Sequence, residues 1–374
     1  MAGGGFGFVA RRQTIKKQAL LVILAVAALC GCRREKDIVW SFATPQPWVL
    51  AGDSQALTPV IDGSVVFFCG GYAEKERSQI YALDVQTGKP KWQYNVGGCG
   101  SVPLISAGTV IGFSFAGHGD RIVVYGLDKD SGGQKWKVEL PGNPSPPAPV
   151  AVGDYIFFAP GSRSVLRIDA RDGSVQTFNI DAELTVAADN LWVAGSPSAA
   201  FFGYGKNYWR SGARSEKFEP GPMLTEPAGR PVGLATDGRI LLIADDEGTL
   251  RAFDLGKGGV IWRHHWSKIL SAPLLADGKV FVNVYRERPA LAALALSSGG
   301  EIWEAQVGSI YAPYWQNGRS YAASGAAVVV LDGVSGKVQS RFAAPTEVTT
   351  TPVPTGDLIL FGTARGALYA VRAR

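Results

Sequence analysis

The sequence predicts an all-β protein made of eight repeats of four antiparallel strands, and three observations lead to this prediction. A pattern that begins at a proline recurs at intervals of 39–44 residues, with one double-length gap, along most of the 374-residue chain. Each copy contains four short runs of β-branched or aromatic residues, bounded by Gly, Asp or Pro. Helical periodicity is absent after residue 31. Four strands at this period are typical of a propeller blade, so we expect an eight-bladed β-propeller.

The composition excludes several other classes of protein. Hydrophobic residues make up 46% of the chain, aromatic residues 10% and charged residues 18%, whereas a disordered chain is poor in aromatics and rich in charge. The 47 glycines lack the period of collagen, and 4 cysteines are too few for a small disulfide-held scaffold. The chain is therefore expected to fold around a hydrophobic core.

Residues 1–31 are predicted to be an export signal. Four basic residues and no acidic residue precede the apolar run Ala19–Leu29, which is too short to span a bilayer. The ending Leu29-Cys30-Gly31-Cys32 resembles the bacterial lipobox, which implies cleavage before Cys32 and acylation of its sulfur. An ordinary signal peptide without lipid is the alternative. The Arg11-Arg12 pair leaves both the general secretory and the twin-arginine export routes open.

We therefore divide the chain into a cleaved signal (1–31), a lipidated tether (32–37) and a propeller (38–374). Removing residues 1–31 takes away four positive charges, so the net charge falls from +5 to +1. Binding to nucleic acid needs a concentrated positive surface, and the mature chain does not have the composition for one. A nucleic-acid partner is therefore not expected.

Asp, Gly and Trp recur at four-residue spacing in the best copies of the repeat. We expect the Asp side chain to accept hydrogen bonds from turn amides and the Gly to adopt a positive φ. The Trp lies in the last strand of its copy, where its indole can pack between neighbouring blades. The residues are Asp84, Gly88, Trp92, Asp128, Gly132, Trp136, Asp254, Gly258 and Trp262, with Trp303 in a copy that has lost its Asp.

One copy is degenerate and lies between Pro147 and Pro231, which are 84 residues apart. Residues 186–193 fit its start. Tyr208-Trp209 and residues 215–218 are predicted to form its last strands.

Residues 197–222 break the repeat and are rich in aromatic and basic side chains. Because aromatic residues and Arg are enriched where proteins bind partners, Tyr204, Trp209 and Arg210 are a candidate partner-binding site. The alternative is that the aromatic residues fill the core of this degenerate blade.

The last copy stops before its fourth strand. Residues 38–42, Ile-Val-Trp-Ser-Phe, match the missing strand. We therefore expect them to pair with residues 366–372 and complete the eighth blade, which removes an open sheet edge.

Cys69 and Cys99 are predicted to form a disulfide. The second and fourth strands of a meander run parallel, so both cysteines are expected at the same face of the first blade. An exported protein meets an oxidising compartment, which favours the bond. Two buried thiols are the alternative.

No catalytic or metal-ligating residues are predicted. His264 and His265 are adjacent on a strand and point to opposite faces, and His118 lies in a separate turn, so a zinc site is not expected. Residues 245–248, Asp-Asp-Glu-Gly, fit a hairpin turn better than a calcium loop. Phosphate-binding and nucleophile motifs are absent from the sequence. We therefore expect no cofactor.

The repeats resemble the tryptophan-docking repeats of the pyrroloquinoline-quinone (PQQ) propeller family, over roughly residues 38–374. One branch of that family, the PQQ-dependent dehydrogenases, carries PQQ and calcium on the propeller axis and often an adjacent cysteine pair, which this chain lacks. The other branch is the BamB-type lipoprotein subunit of the outer-membrane β-barrel assembly machinery. It is similar to this chain in lipobox, near-total propeller coverage, blade number and length.

The second resemblance implies a non-enzymatic, monomeric, protein-binding scaffold, whose partner would be an outer-membrane β-barrel assembly protein. It also implies a lipid anchor in the outer membrane, facing the periplasm; the inner membrane and the cell surface are alternative locations. Arg33 and Arg34 contain no acidic inner-membrane retention signal, which favours the outer membrane. The alternative functions are a PQQ-dependent dehydrogenase and a ligand-binding propeller lipoprotein of unassigned role.

Overall fold

The computed structural model describes residues 37–44, 58–70, 78–116, 121–141, 148–160, 164–179, 192–227 and 230–373. Cys32, the export signal and nearly all of the tether lie outside these residues, and so do His118 and the first part of the degenerate copy.

The prediction of an all-β fold with eight antiparallel four-stranded blades is confirmed, and none of the described residues is helical. The first strand in the chain is β1 (Ile38–Ala43). Blade 1 contains β2 (Val60–Asp62), β3 (Val65–Gly70), β4 (Ser78–Asp84) and β5 (Pro90–Gly97). Blade 2 contains β6 (Leu104–Ser106), β7 (Thr109–Ala116), β8 (Arg121–Asp128) and β9 (Gln134–Pro141).

Blades 3 to 5 follow the same order. Blade 3 contains β10 (Val150–Val152), β11 (Tyr155–Phe158), β12 (Ser164–Asp169) and β13 (Val175–Asn179). Blade 4 contains β14 (Trp192–Gly195), β15 (Ala199–Tyr204), β16 (Asn207–Gly212) and β17 (Glu219–Pro220). Blade 5 contains β18 (Pro231–Thr236), β19 (Ile240–Asp245), β20 (Thr249–Asp254) and β21 (Val260–His265).

Blade 6 has an additional short strand, which pairs with the second strand of the blade next to the first strand. Its strands are β22 (Lys268–Ile269), β23 (Leu274–Ala276), β24 (Lys279–Tyr285), β25 (Pro289–Ala295) and β26 (Glu301–Ala305). Blade 7 contains β27 (Tyr314–Gln316), β28 (Arg319–Ala323), β29 (Ala327–Asp332) and β30 (Val338–Ala343). Blade 8 contains β31 (Val353–Thr355), β32 (Leu358–Thr363), β33 (Ala367–Arg372) and β1.

The position of a strand within its blade explains its hydrophobic pattern. The second strands are buried over most of their length, and β19 with the sequence ILLIAD over all of it, because neighbouring blades cover both faces. The fourth strands alternate instead, and in β5 and β9 the Trp is buried between two exposed neighbours. First strands contact first strands of neighbouring blades, as β14 contacts both β10 and β18.

Connections between strands alternate between two faces of the propeller because successive strands are antiparallel. The turns that join first to second and third to fourth strands lie on one face, which we call the turn face. The hairpins that join second to third strands, and the links between blades, lie on the other, which we call the link face.

The predicted closure of the ring is confirmed. Strand β1 lies beside β33 and completes blade 8, with bounds that differ by one residue from those expected. The Thr44 amide donates a hydrogen bond to the Gly366 carbonyl at 3.0 Å. Trp40, in the middle of β1, is only 8% exposed and packs among residues of blades 1 and 8.

The prediction that residues 215–218 form a strand of the degenerate blade is wrong. The last strand of blade 4 is β17, and residues 215–218 lie in the loop before it. The Ser215 hydroxyl donates to the Lys217 carbonyl at 2.7 Å, which closes a local turn in place of a strand ladder.

We expect Trp40→Ala to destabilise the protein by about 3–5 kcal/mol, because it removes a buried indole at the point where the ring closes. The adjacent Val39 is 40% exposed, so Val39→Ala is the matched control and should cost far less. Denaturant unfolding of both variants measures the difference. Equal losses would show that β1 contributes little to closure.

Candidate functional site

The predicted repeat residues meet at the seams, by which we mean the contacts between two neighbouring blades. Between blades 1 and 2, the Trp92 indole donates its Nε1–H to the Lys129 carbonyl at 2.9 Å. The same indole covers Gly132, which has a φ of +71°; a Cβ built on this glycine would lie 2.6 Å from Cδ2 of the ring. The turn therefore needs Gly for two reasons, its backbone conformation and its contact with the indole.

Four other seams repeat this arrangement. In each one the acceptor is the carbonyl of the residue that directly follows the third strand of the next blade, and we call this carbonyl the docking carbonyl. The pairs are Trp40 with Val85 at 2.8 Å, Trp136 with Ala170 at 3.0 Å, Trp262 with Leu296 at 2.6 Å and Trp303 with Gly333 at 3.2 Å.

The Asp that ends the third strand holds the turn that follows it. Asp84 Oδ1 accepts hydrogen bonds from the Thr87 hydroxyl at 2.8 Å and the Thr87 amide at 2.9 Å. The hydroxyl bond is the main reason why the pKa of the Asp84 carboxyl lies below its ordinary value. The same geometry recurs at Asp128 with Ser131 and at Asp332 with Ser335, while Asp254 accepts from the amides of Gly256 and Lys257.

The seam between blades 3 and 4 has Thr177 at the Trp position and uses other residues. Phe218, from the loop before β17, packs edge-on against Phe178 and Phe202 with ring centroids 4.5 and 4.4 Å away. The Arg167 guanidinium donates to the Ala213 carbonyl at 3.3 Å. Ala213 directly follows β16, so this is again the docking carbonyl.

The seam between blades 4 and 5 has Glu219 at the Trp position, since it pairs with Arg210 as Trp92 pairs with Ala82. The Tyr208 hydroxyl donates to the docking carbonyl of Leu255 instead. The Met223 backbone, and not an indole, covers Gly258. A cavity of about 370 Å³ lies beside this seam.

Tyr204, Trp209 and Arg210, the candidate partner-binding residues, are not brought together on one surface. Tyr204 and Trp209 face blade 3, where Trp209 stacks on Phe202 with ring centroids 5.2 Å apart. Arg210 lies on the opposite face of the same sheet and forms an ion pair with Glu219 at 3.7 Å. The two aromatic residues thus contribute to the blade core, as the alternative interpretation of this segment expects.

A disulfide joins Cys69 and Cys99, whose Cα atoms are 5.9 Å apart. Cys69 is buried near the end of β3, and Cys99 lies in the link from blade 1 to blade 2. The bond ties this link to the blade beneath it on the link face.

The residues considered for metal binding have structural contacts. Asp245 is 1% exposed and its carboxylate pairs with Arg251, which also contacts Glu226 at 3.3 Å. The His264 ring stacks on Trp266. Within the described part of the chain, no three His, Cys, Asp or Glu side chains are grouped so as to hold a metal ion. A search of the same residues finds no helix that could cross a membrane.

Comparison with known proteins gives the same architecture. The family described as outer membrane protein assembly factor BamB matches residues 33–189, 202–288 and 287–374. No curated protein sequence matches the chain. BamB from Moraxella catarrhalis is similar in structure, with a TM-score of 0.59 and 14% identity over 90% of this chain and 99% of its own.

Two further solved structures share the fold. The computationally designed Ika8 protein has a TM-score of 0.66 and 14% identity, over 87% of this chain and 99% of its own. The quinohemoprotein alcohol dehydrogenase ADHIIG from Pseudomonas putida HK5 has a TM-score of 0.65 and 12% identity, over 91% of this chain and 77% of its own.

The fold and its seams define an eight-bladed propeller with tryptophan-docked blades. The family match extends over most of these blades. The chain belongs to the outer membrane protein assembly factor BamB family.

We expect Gly132→Ala to be more destabilising than Gly278→Ala, although both glycines have a positive φ, +71° and +68°. Each substitution places a Cβ in the left-handed region, which costs about 1–2 kcal/mol. At Gly278 nothing lies within 4 Å of the new atom, whereas at Gly132 the Trp92 ring must move. Thermal unfolding compares the two, and equal losses would mean that indole docking is not a tight steric constraint.

Removing the disulfide with Cys69→Ala and Cys99→Ala together should lower the free energy of unfolding by about 3–4 kcal/mol, as loop-closure entropy predicts for its separation of 30 residues. Unfolding of the wild type with and without reductant should show a similar difference. Mass spectrometry of unreduced peptides tests the bond directly, and two alkylatable thiols would contradict it.

Proposed function

We propose that this protein is a lipid-anchored, non-enzymatic scaffold that binds a protein partner during the assembly of outer-membrane β-barrel proteins. The observation that carries the proposal is membership of the BamB assembly-factor family, whose match extends from residue 33 to residue 374 with one short gap. The proposal includes cleavage of residues 1–31 and acylation of Cys32, with the propeller in the periplasm at the outer membrane.

The link face of blades 5 to 7 is the surface that we assign to the partner. Three large apolar side chains are exposed on it: Val232 is 44% exposed, Tyr285 42% and Ile310 50%. Val232 begins blade 5, Tyr285 ends the second strand of blade 6, and Ile310 lies in the link to blade 7. Apolar side chains on one face of consecutive blades favour protein binding.

Charged side chains on the same face supply the polar rim that such an interface needs. Asp246 and Glu247 lie in the second hairpin of blade 5, and Arg286, Glu287 and Arg288 lie in that of blade 6. Arg286 is paired with Glu301 and Glu304 at 2.9 and 2.8 Å, so its guanidinium is held in position at the edge of the apolar residues. Both signs of charge are present, which fits a protein partner better than a polyanion.

A PQQ-dependent dehydrogenase is the second candidate function, because dehydrogenases of that class share the fold. The quinone would require calcium ligands near the axis. The described residues do not bring together three acidic, His or Cys side chains, and their disulfide joins cysteines 30 residues apart and not adjacent ones. We therefore assign no residues and no reaction step to this group.

The decisive experiment is affinity purification of the full-length protein from its native membrane. We expect a large β-barrel assembly protein to co-purify with the wild type, and its recovery to fall by about tenfold or more with Val232→Asp and Ile310→Asp combined, because charge would then enter an apolar interface. Val334→Asp is the matched control, since Val334 is 72% exposed but lies in a turn on the opposite face.

Unchanged recovery with the double variant, or equal loss with the control, would contradict the assignment of the link face. Partner capture without any β-barrel protein would contradict the assembly role. Dye-linked alcohol oxidation after incubation with PQQ and calcium would support the dehydrogenase instead.

A further inference from the structure

The seam between blades 7 and 8 differs from the other seven. Ser340 of β30 occupies the Trp position, since it pairs with Val330 as Trp92 pairs with Ala82. A cavity of about 250 Å³ lies beside Ser340. Its walls come from both blades and include Ile359 and Ala373 of blade 8.

Ala373 carries the docking carbonyl of blade 8, because it directly follows the third strand, β33. Its amide donates to the Asp357 carbonyl at 2.7 Å, just as the Val85 amide donates to the Ser64 carbonyl in blade 1. The backbone of blade 8 is thus held in the same conformation as the blades that receive an indole.

The other seven docking carbonyls all accept a hydrogen bond from a side chain of the preceding blade. Five accept from Trp, that of Leu255 from Tyr208 and that of Ala213 from Arg167. The Ala373 carbonyl receives no such bond from any side chain of the described residues. It lines the cavity, so an acceptor is available there for a donor that enters from outside.

Both apolar and polar side chains line the cavity. Val330, Phe342 and Ile359 are largely buried and give the cavity apolar walls. Arg319 and Gln339 line its polar side. Most of the exposed lining is polar, and its apolar walls beside one backbone acceptor repeat part of the environment that the indole finds at the five tryptophan seams.

The way in which the ring closes explains why this seam is different. In the five blades that receive an indole, a tight turn joins the third strand to the fourth, and the glycine of that turn lies beneath the indole. In blade 8 the third strand ends at Arg372 and the fourth begins at Ile38, so a tight turn does not join these two strands.

We propose that this cavity is a binding site for an indole group, namely a tryptophan side chain presented by another polypeptide. The indole ring packs between Val330 of blade 7 and Ile359 of blade 8, and its N–H donates to the Ala373 carbonyl. We choose an indole because the protein holds five of its own indoles in the equivalent position at other seams. The site is independent of the proposed assembly function and lies at a different place from the link-face residues.

The probe for this site is a fluorinated N-acetyltryptophanamide, followed by fluorine NMR during titration with the full-length protein. We expect saturable line broadening with the wild type. Ser340→Trp should abolish it by filling the cavity with the protein's own indole, and should not lower the unfolding temperature. Lys91→Trp is the matched control: it adds an indole at an exposed position next to Trp92 and should leave binding unchanged.

A second measurement tests the hydrogen bond without any variant. The N-methylindole analogue of the probe cannot donate to Ala373, so it should bind about three- to tenfold more weakly to the wild type. Absence of saturable binding to the wild type would overturn the proposal. Equal binding to Ser340→Trp, or equal affinity of the methylated probe, would also overturn it.

Discussion

At five of the eight seams, the structure depends on the hydrogen bond between a Trp on the outer strand of one blade and the docking carbonyl of the next. Each blade is a small sheet with two apolar faces, which is unstable in water unless a neighbour covers both. Apolar packing alone does not fix the distance and angle between two such sheets. A buried N–H with one available acceptor fixes both the distance and the angle, because an unpaired buried donor would cost free energy. The indole thus sets the geometry of the seam.

The docking carbonyl accepts a side-chain hydrogen bond at more seams than those that have a tryptophan. Where Trp is absent, Tyr208 and Arg167 reach the equivalent acceptor from different strands, and Phe218 supplies the missing aromatic volume. At seven of the eight seams, a side chain therefore donates to this one backbone position and apolar volume lies beside it. Several residue types can donate this hydrogen bond, which explains how blade 4 can lose the repeat sequence and still keep its place in the ring.

Much of the fold could be predicted because the Asp, Gly and Trp of each turn act locally and leave their spacing in the sequence. Closure by β1 was predictable for the same reason, since a strand without a turn remained at one end and a blade without a strand at the other. Blade 4 was harder. Residues 215–218 look like a strand, but tertiary packing draws Phe218 into the seam. Because side chains alternate between the two faces of a strand, the sequence was enough to place Arg210 and Trp209 on opposite faces of the sheet. The use of a docking carbonyl and the presence of a cavity depend on how two blades pack, so sequence spacing alone does not show them.

Joining the first strand to the last has a consequence for how the protein forms in time. Strand β1 precedes every other blade strand in the chain, yet its partner β33 is the final one. During synthesis β1 emerges first, and it cannot pair with β33 until more than three hundred residues have followed it. Ring closure therefore requires the whole propeller sequence. In a chain truncated before β33, β1 has no partner strand and the eighth blade has an open edge.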